Sequence, residues 1–355
     1  MRGASGYVAL LLAAGCLEPV ASWADCANCG ASDTFSYFGE SVRSKSEWPS
    51  STAWGLSFAH KFAPHFDVGL EYLNDGHFPG HHRDGVSLVA WVPFTWNRYW
   101  TASLGAGPFY FFDTQYAANF NGYADVHSVA WLLSADLKLA LSGDAKKAGA
   151  FLELRYDYRT PVRNFETRSI GFGIGYRMSS DKSYVAPDGV IPGLVNFQFG
   201  LYGGKTVVNS FTSQHSTAGA FDIRFQIPGF SEWVHFPVGF SVGGVYEGNA
   251  ELIRRWGGTG EVWLEPTFWE GRFSVGAGAG GYVAFDKYRP TPGSHVSGVI
   301  SATLSVRLDG LLGAVWHGFE ADWEKHIVTR VIWHRMVTDY SRDTDVLLFG
   351  LSIPL

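Results

Sequence analysis

From residue 34 to the C-terminus nearly every segment alternates apolar and polar residues with period two, and helical periodicity is almost missing. The clearest run is Val129, Trp131, Leu133, Ala135, Leu137, Leu139 and Leu141, with Ser134, Asp136 and Lys138 in the opposite set. Ile170, Phe172, Ile174, Tyr176 and Met178 oppose Ser169, three glycines and Arg177, and Leu152, Leu154, Tyr156 and Tyr158 oppose Glu153, Arg155, Asp157 and Arg159. Such a chain forms sheets with one greasy face and one face of Gly, Ser and charge. Alternation alone does not separate a soluble sandwich, greasy face inward, from a membrane barrel, greasy face outward.

Segment and connection lengths separate the two. Strands read at about 34–44, 51–63, 66–75, 84–96, 99–113, 128–141, 149–160 and 167–178. Those of ten residues or more are long enough to cross a bilayer at a tilt. The connections Ala63–Pro64–His65, Asn97–Arg98 and Ser142–Ala148 are short, whereas 76–83 and 114–127 read as longer loops. Short turns at one end and long loops at the other are the pattern of an antiparallel up-and-down transmembrane barrel, with the long loops outside. Composition agrees: charged residues are 17% and aromatics 16%, and beyond the N-terminus no run of 18 apolar residues offers a membrane helix. A net charge of −6 argues against a nucleic-acid surface.

The second half repeats the first at an offset of about 173 to 177 residues. Gly105-Ala106-Gly107-Pro108-Phe109-Tyr110-Phe111-Phe112-Asp113 returns as Gly278-Ala279-Gly280-Gly281-Tyr282-Val283-Ala284-Phe285-Asp286, and Phe94 to Arg98 as Phe268 to Arg272. This is duplication of an eight-strand unit, 34–178 and 195–355, joined by a polar linker or turn at 179–194. Residues 309–327 break the repeat: Leu311, Leu312, Val315, Phe319 and Trp323 recur at helical spacing, predicting a short amphipathic helix on the periplasmic interface, with an extra strand as the rival. The all-β fold expected is one barrel of about 16 strands, because duplication followed by merging gives a single larger ring. The alternative is two tandem eight-stranded barrels, which the two closing patterns and the linker favour.

Arg2, the apolar run Tyr7 to Ala14, Pro19 and the small-x-small site Ser22-Trp23-Ala24 predict a secretory signal over 1–24. Lipidation of Cys16 is a second option, with Ala13 where a lipobox prefers Leu. A tail over 25–33 then carries Cys26 and Cys29, which either close a small disulfide or have no role; thioredoxin-like chemistry needs a βαβ context that is absent.

Both halves end in Gly-x-x-apolar-x-apolar, at Gly173, Tyr176 and Met178 and at Gly350, Ile353 and Leu355. This resembles the closing-strand signal read by the outer-membrane insertion machinery. Glu71 to His77, His82-Arg83-Asp84-Gly85, the Gly-rich strand into Phe112-Asp113, and Arg168 to Met178 resemble outer-membrane barrels of the lipid A 3-O-deacylase-like group. The resemblance covers most of 34–178, with the second half a fainter copy. It implies the bacterial outer membrane, with lipid and lipopolysaccharide as surroundings. Deacylases of that group place His and Ser two residues apart on a late strand, as a base-activated hydroxyl requires. Here that strand reads Arg155-Tyr156-Asp157-Tyr158 and, in the second half, His334-Arg335-Met336. The expected protein is therefore non-enzymatic, structural or channel-forming, with no cofactor. The alternatives are a lipid A-modifying esterase using His334 and Ser341, and an exported soluble β-protein that binds ligands.

Two further sets carry chemistry. Asp136, Lys138, Glu153, Arg155, Asp157, Arg159 and Arg177 balance charge along adjacent strands and would face a lumen, since charge on the lipid face costs about 2–4 kcal/mol near the midplane. They form either a packed salt-bridge network or a polar lining for solutes. Residues 74–84 hold three His and two Asp, and Asp75, His77, His81, His82 and Asp84 are a candidate metal cluster. The plainer reading of that stretch is a turn leading into the next strand.

Overall fold

The computed structural model describes residues 33–44, 50–78, 81–117, 122–162, 165–178, 194–208, 215–228, 238–250, 253–268, 272–287, 294–308, 327–338 and 343–355. The expected signal sequence, the tail with Cys26 and Cys29, the linker and the helix at 309–327 fall outside these residues almost entirely.

Eight strands make the first unit: β1 (Asp33–Ser44), β2 (Ser51–Ala63), β3 (Phe66–Phe78), β4 (His81–Thr95), β5 (Trp100–Ala117), β6 (Gly122–Ala140), β7 (Gly149–Val162) and β8 (Phe165–Met178). Each pairs antiparallel with the next, and β8 returns to β1 through twelve register pairs, from Asp33 with Met178 to Ser44 with Thr167. The second unit has β9 (Val195–Val208), β10 (His215–Gln226), β11 (Val238–Ala250), β12 (Ile253–Leu264), the two-residue β13 (Thr267–Phe268), β14 (Phe273–Asp286), β15 (Ser294–Arg307), β16 (Val328–Val337) and β17 (Thr344–Pro354). There β12 pairs directly with β14, and β17 closes on β9 over eleven pairs.

The single ring of about 16 strands is therefore wrong, and the chain forms two separate closed barrels of eight strands. The reason is edge satisfaction. Once β1 is bonded to both β2 and β8, the first sheet has no free edge to offer β9 or β17. The expected loops at 76–83 and 114–127 are corrected too: β3–β4 pairing continues to Phe78 with His81, and β5–β6 pairing to Ala117 with Gly122. A ladder is held by backbone groups, so polar hairpins can extend beyond an apolar wall. The β3–β4 hairpin does so around a bulge with Gly76 at φ 79°. At the opposite end the β4–β5 turn is tight because the Asn97 side-chain oxygen accepts from the amides of Tyr99 (2.8 Å) and Trp100 (3.0 Å).

Burial is inverted relative to a soluble sandwich. Charged residues such as Glu71, Arg155, Arg159 and Glu247 are 0–1% exposed, while Leu104, Phe172 and Leu201 are each 60% exposed. Polar inside and apolar outside is the distribution of a barrel in lipid.

One stretch of outer wall departs from this. The outward face of the first barrel, on β2, β3, β5 and the end of β8, packs on the second barrel in two clusters. One joins Phe58 and Met178 to Val238, Phe240 and Leu264; the other joins Tyr72, Phe112 and Trp54 to Val337, Ile300 and Trp333. Trp333 meets Tyr72 edge-on at 4.8 Å and Trp54 at 6.0 Å. Beside them Arg335 bonds Asp84 across the seam and Asp345 on its own barrel at 2.9 Å.

The register aligns the barrels residue by residue: Trp91–Gly105–Ser134–Asp157 corresponds to Trp263–Gly278–Ser301–His334. Arg335 thus stands where the first barrel has Tyr158, and Asp84 where the second has Trp256, which is 58% exposed. Each barrel carries on its outer wall a charge that its sister lacks, and the two charges meet. Side chains of Asp84 and Arg335 are 1% and 2% exposed, so removing either one takes a buried ionic contact from the other. D84A or R335A alone is expected to cost about 3–5 kcal/mol, and the apolar pair D84L/R335L less than the sum of the two. Urea unfolding in detergent, followed by tryptophan fluorescence, measures this; independent, additive losses would contradict it.

Candidate functional site

The chemistry-bearing side chains converge in the two lumens, because alternate positions of every strand point inward. In the first barrel Arg155, from β7, is central. It donates to Glu71 Oε2 on β3 (2.5 Å) and to Asp157 Oδ1 (3.0 Å), lies 3.8 Å from Glu153, and stacks over Phe38 at 4.4 Å. Two pleat repeats further along β7, Arg159 contacts Asp75 (2.9 Å), Glu40 (3.2 Å), Asp157 (3.4 Å) and Ser169 (3.1 Å). Arg83 closes that end through Asp75 (2.7 Å), Thr167 (2.6 Å) and the Phe165 ring (4.6 Å). These three guanidiniums are at most 1% exposed. They cross-link strands on opposite sides of the ring.

Toward the short-turn end Lys138 pairs with Asp136 at 2.9 Å and sits near the rings of Phe151 and Trp91. Beyond it a polar vestibule of about 380 Å³ opens, lined by Lys61, Asp67, Lys138 and Arg177 among others. The vestibule ends at the ion-pair layers above.

The second lumen is filled by different residues. Glu247 receives Arg255 (2.6 and 2.7 Å), Tyr282 (2.5 Å) and Thr344 (2.5 Å). At the short-turn end Glu265 receives Arg330 (2.6 Å), Ser274 (2.8 Å), Ser305 (3.0 Å) and Arg224 (3.2 Å). Between these layers Ser301 Oγ lies 2.6 Å from His334 Nδ1 and donates to Glu261, whose other oxygen is 3.7 Å from the same nitrogen.

All seven residues of the expected lumen set project into the first lumen. The candidate metal cluster does not converge there. Asp75 faces the lumen between Arg83 and Arg159, whereas Asp84 faces outward to Arg335, and the side chains of His77, His81 and His82 lie outside those described. Among the described residues no group of three His, Cys, Asp or Glu is arranged to hold a metal. His334 is buried in the second lumen, and Ser341 lies outside the described residues.

The sequence reading missed Glu40, Glu71 and Arg83, although strand parity places Glu71 in phase with Asp67, Leu73 and Asp75 on β3. It also missed Glu247, although strand parity places it in phase with the inward Ser241 and Val245 of β11, just ahead of the bulge that shifts the register at Gly248.

No family model and no curated protein sequence matches the chain. Among solved structures, the N-terminal β-barrel domain of Pseudomonas aeruginosa OprF is similar over 41% of this chain and 98% of its own, at 17% identity and TM-score 0.32. Neisserial surface protein A is similar over 41% and 96%, at 11% identity and TM-score 0.32. An outer membrane channel from Pseudomonas putida F1 is similar over 96% and 100%, at 9% identity and TM-score 0.22. At such identities and scores the likeness does not extend to function.

Replacing Arg155 by Met takes the guanidinium from Glu71, leaving it the Ser57 hydroxyl, and leaves Asp157 to Arg159, and is expected to cost about 3–5 kcal/mol. K146A, on an exposed turn, is expected to change stability by less than about 0.5 kcal/mol. Urea midpoints of the two variants against the parent protein check both figures.

Proposed function

We propose that this chain is an integral protein of the bacterial outer membrane, a structural, non-conducting pair of barrels with no enzymatic activity. The carrying observation is that buried ion-pair layers span both lumens. Arg155 and Arg159 reach carboxylates on opposite walls of the first, and Glu247 and Glu265 gather donors from several strands of the second. An eight-stranded interior is narrow enough for side chains to fill, so such layers leave no continuous water path. The apolar outer walls, the export signal read at the N-terminus and the closing-strand pattern support the location.

The likeness to the deacylase-like group is one of barrel pattern. For lipid A esterase chemistry the hydroxyl and its base would need to meet an acyl ester, which lies outside the barrel wall. His334 points into the lumen, and both Ser301 and Glu261 approach its Nδ1, so the acid and the hydroxyl do not take opposite ring nitrogens as an activated nucleophile requires.

Two measurements test this. The purified protein in planar lipid bilayers is expected to give no stepwise conductance; steady open-channel steps would overturn the non-conducting reading. Lipid A from cells with and without the protein is expected to have the same mass, whereas an acyl chain lost in its presence and restored by His334→Ala would establish an esterase.

A further inference from the structure

The short-turn end of the first barrel is framed by hairpin turns that are tied to one another. The Ala145 amide, in the β6–β7 turn, donates to the Arg98 carbonyl of the β4–β5 turn at 2.6 Å, and the Leu141 amide closes the neck on the Ala150 carbonyl at 2.8 Å. With the β2–β3 turn at Pro64 and His65 they surround the vestibule of about 380 Å³, and the exposed His65 and Lys146 stand at its rim. The space lies inside the ring of strands, so a solute reaches it from water and not through the wall.

Its lining is basic in a chain that is not. Lys61, Lys138, Lys146 and Arg177 face it against one acid, Asp67, whereas the whole chain carries 27 Lys and Arg against 33 Asp and Glu. Lys138 is already held by Asp136 at 2.9 Å. Among the described residues Lys61 and Arg177 pair with no carboxylate at contact distance, and Asp67, Asp136 and Asp144 act on Arg177 from farther away. A guanidinium has five N–H donors to place, and a cation drawn partly out of water gains most from an anion in contact with it.

The sister barrel shows what this level of the frame accommodates. Carried two residues on from Trp91 and Trp263, the register puts Pro93 where the second barrel has Glu265, and Thr101 where it has Ser274. In the second barrel the Glu265 carboxylate gathers Arg224, Arg330, Ser274 and Ser305, and the cavity at that end is only about 70 Å³. In the first barrel cations and hydroxyls again surround this level, but proline brings no acceptor and the space between them is open.

We propose that the vestibule of the first barrel binds a soluble oxyanion of the phosphate class, which takes the place that the Glu265 carboxylate fills in the second barrel. Arg177 and Lys61 are its charged donors, and Thr101 and Ser103 add hydroxyls from the wall. A tetrahedral oxyanion with more than one charge suits cations that arrive from three sides, Lys61 on β2, Lys138 on β6 and Arg177 on β8. The site does not depend on the non-conducting reading, because an anion rests at this mouth whether or not a path continues below it.

Equilibrium dialysis of the full chain in neutral detergent against labelled inorganic phosphate, with pyrophosphate and acetate as competitors, tests this. The parent protein is expected to bind phosphate saturably and to release it to pyrophosphate more readily than to acetate. R177M and K61M are each expected to weaken binding about tenfold, the scale of one charge-assisted hydrogen bond. Pro93→Glu, which sets the sister barrel's acceptor in the site, is expected to abolish it. K147A removes a cation from the same turn, one that is 77% exposed and lies 3.9 Å from Asp144, and is expected to bind as the parent does. Heat-modifiable migration on gels reports in each case that the barrel is folded. A folded parent protein without saturable binding, equal losses in R177M and K147A, or undiminished binding by folded Pro93→Glu overturns the site.

Discussion

Closing eight antiparallel strands on themselves leaves every second side chain in an interior too narrow for bulk water, and the rest of this molecule follows from what is done with those positions. A charge placed there loses its hydration and stays ionised only with a partner at contact distance. The first barrel meets this with three arginines, each shared by two or more groups, and with aromatic faces behind them. Phe38 and Trp91 lie against Arg155, and Phe111 and Phe165 against Arg83. The second barrel gathers donors around single carboxylates, Glu247 and Glu265. Two solutions to one constraint have arisen on a duplicated frame, and each links strands that are not neighbours in the sheet.

The seam shows the same constraint from outside. A lipid-facing wall tolerates little charge, yet Asp84 and Arg335 stand on such walls. They are compatible with the barrels because they meet each other, with Asp345 also on Arg335, and Trp333, Trp54 and Tyr72 pack beside them. Tyr158 and Trp256, at the matching positions of the sister barrels, show the apolar state of the same sites. The two halves differ in a complementary way at the seam: one wall carries Arg335, the other Asp84.

Much of this was legible in the chain. Period-two alternation specified strands and their faces, segment lengths specified crossing strands, and the echo of Gly105–Asp113 in Gly278–Asp286 specified the duplication. The seven charges from Asp136 to Arg177 were placed on the inward face by parity alone. Their partners were harder to see, because Glu40 and Arg83 are single charges on strands whose other inward residues are apolar or small, and Glu71 lies on a strand remote in sequence from the seven. Glu247 follows the parity of Ser241 and Val245, and only beyond it, at Gly248, does a bulge shift the register. The polar hairpins of β3–β4 and β5–β6 read as loops because composition reports solvent exposure and not backbone pairing.

What the sequence by itself determined is local: the strand period, the inward and outward faces, and the number of strands in each half. The same strands satisfy those rules in one ring or in two. The choice is a matter of which edges bond, β8 to β1 and β17 to β9, and edge bonding is made by backbone groups that every residue carries alike. The meeting of Asp84 with Arg335, 251 residues apart, likewise exists only once two closed surfaces touch. No periodicity within either half encodes that contact, so only the tertiary structure decided it.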